Sequence, residues 1–359
     1  MAATLIDGAK IYAPYFKITL NGEPYPPRES ILNVEIDEDL ETPALLKISL
    51  NESLDIKTQL FTFLDDEMLK PGSEVVVNLG YAASEKPVLF RGRIKSISPS
   101  FLSTGNISLS IEGYDLSFDL KKKQTEFKDT QVTYSMVAEE IARKNGLIPK
   151  GVEATKITHA KVEREKNEKD YETLKRLSSD VGYEFFVRDN VLYFREPKDN
   201  LEGKITFEFR KNFINFSPRM ATATLVNEVN VTAWDGKKKE GISETASIKE
   251  IKNTVGFPNF DSLVEQSQGS ALKIKMEGRA VRSREEAKTL AIAELKRRNK
   301  GFIEGSLECV GDPELRPGMT VNITKVGERF SGMYYVTKAK HSIGDGGYKT
   351  TLDVRRSVL

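Results

Sequence analysis

From Tyr15 to about Leu120, apolar and polar residues alternate with a period of two, the pattern of strands that bury one face. Phe16-Lys17-Ile18-Thr19-Leu20 alternates as far as Asn21-Gly22, a pair that accepts positive φ and so predicts a hairpin turn. Ile31 to Ile36, Leu46-Lys47-Ile48-Ser49-Leu50 and Val75-Val76-Val77-Asn78-Leu79 predict further strands, and two more follow Phe90. Five or more short strands in one stretch suit a small barrel or sandwich. The charged run Lys121-Lys122-Lys123 marks where the pattern changes.

The period then lengthens to that of helices. Thr133 is placed to cap a helix through Arg143, with Val132 and Val137 as a hydrophobic staple and Gly146 as the stop. A second helix begins near Asn167, carries Tyr171, Leu174, Leu177 and Val181 at three- and four-residue steps, and ends at Gly182. A hairpin follows, Tyr183 to Arg188 and Val191 to Phe194 around Asp189-Asn190. These elements form an α-α-β-β insert over 121–203. Strands resume at Lys204 to Phe209 and Glu228 to Trp234. Between about 236 and 280 the chain is polar and weakly patterned, which predicts irregular structure that a partner could order. Ser283-Arg284-Glu285-Glu286 is a capping box for a helix with Ala287, Leu290, Ala291 and Leu295 on one side, so 236–299 reads as a polar segment plus a helix.

One pattern occurs twice. Pro71-Gly72-Ser73-Glu74-Val75 leads to Phe90-Arg91-Gly92 and the strand Ile107 to Ile111. Pro317-Gly318-Met319-Thr320-Val321 leads to Phe330-Ser331-Gly332 and the strand Tyr348 to Val354. Proline to phenylalanine takes 19 residues in the first copy and 13 in the second, and from glycine to closing strand the copies agree within about a residue. Each reads as a Pro-Gly turn followed by three antiparallel strands. The chain is therefore α+β and mainly β. A first β-module occupies 1–120, and a second, discontinuous one is built from 204–235 and 300–359. Strands at 204–234 are expected to pair with those after 302.

Composition narrows the function classes. Lys plus Arg, 54, nearly cancels Asp plus Glu, 53, so no bulk field draws the protein to nucleic acid or anionic membrane. The lone Cys309 allows no internal disulfide and fits a reducing compartment; its alternating neighbours make it a small strand residue, not a nucleophile. The N-terminus lacks the basic and apolar regions of a signal peptide, and no window approaches the roughly 18 apolar residues of a membrane helix. Synthesis in the cytoplasm with no membrane anchor is the expectation.

No catalytic, cofactor or metal site is assigned. His159 and His341 stand in unrelated contexts without metal-ligand spacing and read as ordinary surface or barrel-end histidines. Gly344-Asp345-Gly346-Gly347 lies between two strands without the Lys-Ser/Thr and helix of a phosphate loop, and reads as a hairpin turn. The acidic cluster Glu35, Asp37, Glu38, Asp39 and Glu41 lacks the order of a calcium loop and reads as a solvated connection. Lys296-Arg297-Arg298-Asn299-Lys300 supplies cations at a helix C-terminus, where the macrodipole favours them. Trp234, Tyr334 and Tyr335 lie on alternating strands as core or interface residues. A β-rich polysaccharide-binding module would cluster its aromatics, and a hydrolase would show a carboxylate or nucleophile constellation; neither pattern is found. The chain reads as a structural or assembly protein.

The run Val310-Gly311-Asp312-Pro313-Glu314-Leu315-Arg316-Pro317-Gly318-Met319-Thr320-Val321 resembles the closing segment of the phage late control protein D family, the baseplate hubs of contractile tails, related to the N-terminal part of type VI secretion spike proteins. Phe330 to Val336, His341 and Gly347-Tyr348-Lys349-Thr350 continue the match in order, and Asp170 to Leu177, Gly182 to Val187 and Ser283 to Leu295 resemble the middle-domain elements. The resemblance implies two tube-like antiparallel β-barrel domains with an α/β insert domain between them. It also implies a homotrimer whose six modules let a three-fold spike meet the six-fold tail tube. Implied partners are the tail tube protein, the spike, other baseplate proteins, and DNA or effector cargo in the lumen. The chain ends at Arg355-Arg356-Ser357-Val358-Leu359 without the oligosaccharide-binding-type barrel and β-helix of fused forms, so a separate spike polypeptide is expected.

Overall fold

Alternating burial builds the first module strand by strand in the structure, a computed structural model that describes residues 13–81, 87–103, 105–199, 203–221, 225–235, 239–248, 273–276 and 281–356. β1 (Pro14–Leu20) turns at Asn21 and Gly22, with φ of 50° and 92°, into the short β2 (Glu23–Pro24). β3 (Ile31–Asp39) and β4 (Leu45–Glu52) pair antiparallel, and β5 (Leu54–Asp55) with β6 (Leu60–Phe61) forms a small hairpin. β7 (Glu74–Tyr81), β8 (Val88–Phe101) and β9 (Ile107–Asp115) complete the order β3-β4-β9-β8-β7-β1. Val34, Ile36, Leu46, Ile48, Val77 and Ile111 point from these strands into one core. β8 bends at a bulge between Ile94 and Ser96.

The insert carries β10 (Thr130–Val132), α1 (Tyr134–Lys144), β11 (Ile148–Val152), β12 (His159–Lys161), α2 (Asp170–Asp180), β13 (Glu184–Arg188) and β14 (Val191–Arg195). Thr133 caps α1 as its sequence indicates, its hydroxyl accepting the Met136 N–H at 3.2 Å. α2 starts three residues later than its pattern suggests, because Asn167 has φ of 69° and cannot be helical.

The second module follows with β15 (Ile205–Glu208) and β16 (Asn215–Met220), and resumes with β20 (Ile303–Val310), β21 (Thr320–Thr324), β22 (Gly332–Gly344) and β23 (Gly347–Arg356). Between its halves lie β17 (Glu228–Asp235), β18 (Glu240–Ser247), β19 (Lys273–Met276) and α3 (Arg284–Asn299). Strand Glu228–Asp235, grouped by its pattern with the second module, pairs with β18 and β19 instead. Its apolar face, Val229 and Val231, is covered by Ala287, Leu290 and Leu295 of α3, which form a separate core with Ile242 and Ala246. The polar stretch expected to be irregular thus contributes two strands, while its residues 249–272 and 277–280 lie outside the described residues. β15 and β16 pair with β21 and β20 as expected of strands before 235.

The two modules match strand for strand. The second has the order β16-β20-β23-β22-β21-β15, which in chain order repeats the first. Gly72 N–H donates to Ile94 O at 2.8 Å and Ile94 N–H to Ser73 O at 3.0 Å; Gly318 N–H donates to Val336 O at 2.8 Å and Val336 N–H to Met319 O at 2.9 Å. Both glycines need positive φ, 98° and 82°, to turn into their strand. Pro71 and Pro317 are therefore equivalent. The β22 bulge between Val336 and Lys338 is the counterpart of that in β8. Counted from it, Gly92 corresponds to Tyr334, so the pairing of Gly92 with Gly332 by letters is two residues out. One pairing also departs: β1 meets β7 antiparallel, whereas β15 meets β21 in parallel.

Among the described residues the two modules do not close as separate barrels. β21 covers only Gly332–Tyr335 of β22, and the rest of that edge, Lys338 to Ile343, pairs antiparallel with β3. One 13-stranded sheet runs through both modules, and among the described residues its path does not return on itself.

Candidate functional site

The Gly311–Gly318 run lies where the three units meet. Gly311 leaves β20 with its N–H on Tyr348 O at 2.9 Å, and a Cβ there would fall 2.1 Å from the Tyr348 ring. Tyr81 of the first module donates its hydroxyl to Gly311 O at 2.6 Å. Asp312 N–H donates to the Thr350 hydroxyl at 3.0 Å, while the Asp312 carboxylate accepts Glu314 N–H at 2.9 Å. These bonds turn the loop so that Arg316 points into the first module.

Arg316 Nε donates to Glu38 Oε2 at 2.9 Å and its Nη2 to Glu38 Oε1, while Nη1 and Nη2 also reach Val88 O at 3.2 Å and Leu89 O at 2.8 Å. Burial alone would raise the Glu38 carboxyl, but the charge and hydrogen bonds of Arg316 outweigh it and hold the group below the usual carboxylate range. His341 closes the joint from β22. Its Nε2–H donates to Leu315 O at 3.0 Å, which leaves Nδ1 to accept from the Tyr348 and Thr350 hydroxyls at 2.8 and 3.1 Å.

The insert grips the same run. Arg188 donates to Pro317 O at 2.7 Å and Arg195 to Gly318 O at 2.9 Å. Arg195 also donates to Glu184 at 3.0 Å, whose other oxygen accepts the Tyr335 hydroxyl at 2.6 Å. Both guanidiniums lie over the stacked rings of Phe186 and Tyr193, 5.3–5.8 Å from their centroids. Burial and the nearby Arg316 bring the Arg188 guanidinium down to about 10.

Several expected placements change. His341 is 1% exposed and His159 7%, so neither is a surface residue. His159 stacks on Tyr134 at 4.0 Å and pairs with Glu286 at 3.0 Å, joining the insert to α3. The acidic cluster is not a solvated connection, because β3 pairs on both sides. Glu35 and Asp37 meet Lys340 and Lys338 of β22 at 2.9 and 3.0 Å, and Glu38 faces the opposite way into the joint. Asp39 accepts the Glu41 N–H, and Glu41 meets Lys175. Gly344 and Gly347 close the β22–β23 hairpin. In the basic run, Arg297 and Arg298 pair with Glu294, and Asn299 is fully buried, bonding the Val226 backbone in both directions. Tyr334 and Tyr335 are buried and Trp234 is 65% exposed.

Arg316, Arg188, Arg195, Glu184 and Tyr81 escaped the sequence reading. A usable signal was present, since a charge at an inward position of an apolar hairpin such as Glu184–Arg195 demands a buried partner. The chemistry of the joint is that of a clamp. Both oxygens of Glu38 and both nitrogens of His341 are engaged, and Cys309 is buried with its thiol pushed up to about 12. Among the described residues no cluster of His, Cys, Asp or Glu could hold a metal ion.

The neutral His341 gives the joint a pH signature. Burial lowers its imidazole to about 4, against about 6.5 in an unfolded chain, so below pH 6.5 the unfolded state takes up a proton that the fold refuses. Asp115 acts in the opposite sense, because burial raises its carboxyl to about 6. A His341→Gln variant isolates the first contribution. Relative to it, the unmodified protein should lose about 1.2 kcal/mol of stability between pH 6 and 5. Urea denaturation at each pH measures this, and parallel profiles would contradict it.

The fold recurs in tail proteins. The 43 kDa tail protein of prophage MuSo2 from Shewanella oneidensis superposes with a TM-score of 0.74 at 14% identity, over 96% of this chain and 98% of that one. The tail protein from Neisseria meningitidis MC58 gives 0.72 at 13% identity, over 96% and 97%. A component of the type VI secretion system of E. coli gives 0.58 at 13% identity, over 95% and 80%. A family model described as the Alg8 N-terminal domain matches residues 12–345. No curated protein matches the sequence.

Proposed function

We propose a structural, non-catalytic role for this chain, which belongs to the Alg8 N-terminal domain family. The protein is a baseplate hub of the late control protein D type, in a contractile tail or injection particle. Three copies form a pseudo-six-fold ring of tube-like β-modules that joins the hexameric tail tube to the trimeric spike, with other baseplate proteins around it and DNA or effector cargo in its lumen. One observation carries the reading. The chain contains two modules of the same strand order, opened by the same Pro-Gly turn and joined edge to edge by β22 and β3. A protein with two equivalent modules per chain supplies six positions from three copies, which is what a three-fold to six-fold adaptor requires. The likeness of fold to phage tail proteins supports the same setting. No helix among the described residues is long and apolar enough to cross a membrane.

Native mass spectrometry of the chain, alone and with its tube and spike partners, is expected to give a trimer. A stable dimer, or complexes containing only one copy, would rule the hub out.

A further inference from the structure

Two of the strand edges that lack a partner among the described residues are related by the repeat. β9 binds β8 from Gly92 to Phe101, but β7 reaches only Val88 to Arg93 on the other side, which leaves the edge of Ser96 to Phe101 open. β16 binds β20 alone and ends the sheet. The repeat relates these edges to a pair that is already joined. Counted from the bulges, Ile97, Pro99 and Phe101 of β8 correspond to Ala339, His341 and Ile343 of β22. Through the β4 and β20 registers, Phe216, Pro218 and Met220 of β16 correspond to Val34, Ile36 and Glu38 of β3. Within the chain, Ile343 faces Val34, His341 faces Ile36 and Ala339 faces Glu38.

Resting on the hub reading, we propose that Ser96–Phe101 of one copy pairs antiparallel with Asn215–Met220 of a second copy, with Phe101 opposite Phe216, Pro99 opposite Pro218 and Ile97 opposite Met220. The intermolecular seam thereby repeats the β22–β3 seam inside the chain. Each copy carries one edge of each kind, so the contact is head-to-tail, and near-equal steps at the two seams close it into a ring.

The prolines pin the register. Ile94 turns its backbone toward β7, so past the bulge Ile97, Pro99 and Phe101 turn theirs toward the open edge. Pro218, which has no N–H, faces away from β20 for the same reason. With the prolines opposite each other, the flanking pairs, Ile97 with Met220 and Phe101 with Phe216, keep both of their hydrogen bonds. A two-residue slip instead sets each proline against a residue whose carbonyl then lacks a donor, and brings Phe101 opposite Ile214 or Pro218. Ile214 has already spent its N–H on Glu308 O at 2.7 Å. A one-residue slip turns every side chain to the wrong face. Prolines on both open edges also block promiscuous strand addition.

Apolar surface gathers at the same two edges. Phe101 and Leu102 are 58% and 57% exposed, and the β5–β6 hairpin, held to Phe101 by a Phe61 ring contact at 5.7 Å, presents Ile56 and Leu60 at 81% and 55%. Ile214, 56% exposed, precedes β16 and would meet the Leu102 turn in this register. Such a concentration of exposed large side chains marks an interface.

Ser98 and Arg219, both exposed, fall directly opposite each other at a non-hydrogen-bonded position, with a Cα separation of about 4.5 Å that suits a disulfide. A full-length Ser98→Cys/Arg219→Cys chain, assembled and mildly oxidised, should run mostly as covalent trimer on a non-reducing gel, while either single variant stays uncrosslinked. Hydrogen exchange on the unmodified protein should show the Phe101 and Phe216 amides becoming protected on assembly. Rings that form without this crosslink and without that protection, or that crosslink better through Ser98→Cys/Ser217→Cys, would overturn the register and leave the hub intact. A chain that stays monomeric with tube and spike present would overturn both.

Discussion

Arg316→Ala is expected to cost about 3–5 kcal/mol, because it strands the Glu38 carboxylate in a buried joint. The side chains of Arg316 and Glu38 are 15% and 9% exposed, which separates this pair from the surface ion pairs that contribute little. Taking either charge out of water is expensive, and only the paired geometry offsets that cost. Removing the cation also leaves Val88 O and Leu89 O without their donor. The double variant Glu38→Leu/Arg316→Met should recover most of the loss, since an apolar pair of similar volume carries no desolvation cost. Chemical denaturation of the four chains of this cycle measures the coupling. A single variant within about 1 kcal/mol of the parent would show that the pair does not hold the modules together.

The sequence exposed whatever depended on local periodicity or turn chemistry. Asn21-Gly22, the Thr133 cap, the Ser283 capping box and the equivalence of Pro71 with Pro317 could all be read because each is decided within a few residues. The joint could not. Arg316 and Glu38 lie 278 positions apart, and nothing near either residue signals the other. β18 was missed for a different reason: of its eight residues only Ile242 and Ala246 are buried, too sparse an alternation to stand out, and its stability comes from the α3 helix lying across it. The acidic cluster misled because charge density suggested solvent, whereas alternation along β3 sends Glu35 and Asp37 to one face and Glu38 to the other. Legibility therefore stops where long-range pairing begins, and the β22–β3 seam between the modules is such a pairing.

Gly92→Ala should destabilise the first module by at least about 2 kcal/mol, as overpacking into fixed backbone does. A Cβ at Gly92 would lie 2.1 Å from Tyr114 O and 2.8 Å from the Phe90 ring. The nearest obstacle is the backbone of the adjacent strand β9, so no rotamer change relieves it. Its counterpart Tyr334 is fully buried and donates its hydroxyl to Phe330 O at 2.7 Å, filling space in the second module that the first closes with strand contact. Equivalent positions have thus taken opposite solutions, close backbone approach in one module and a large aromatic in the other. Gly346→Ala is the control. Nothing lies within 4 Å of a Cβ there, and its φ does not demand glycine, so its cost should stay within about 0.5 kcal/mol. Thermal unfolding of the two variants beside the parent checks the contrast. Equal effects would mean that β8 can draw away from β9 at Gly92 without loss, and that the open edge at its far end, Ser96 to Phe101, is not rigidly presented.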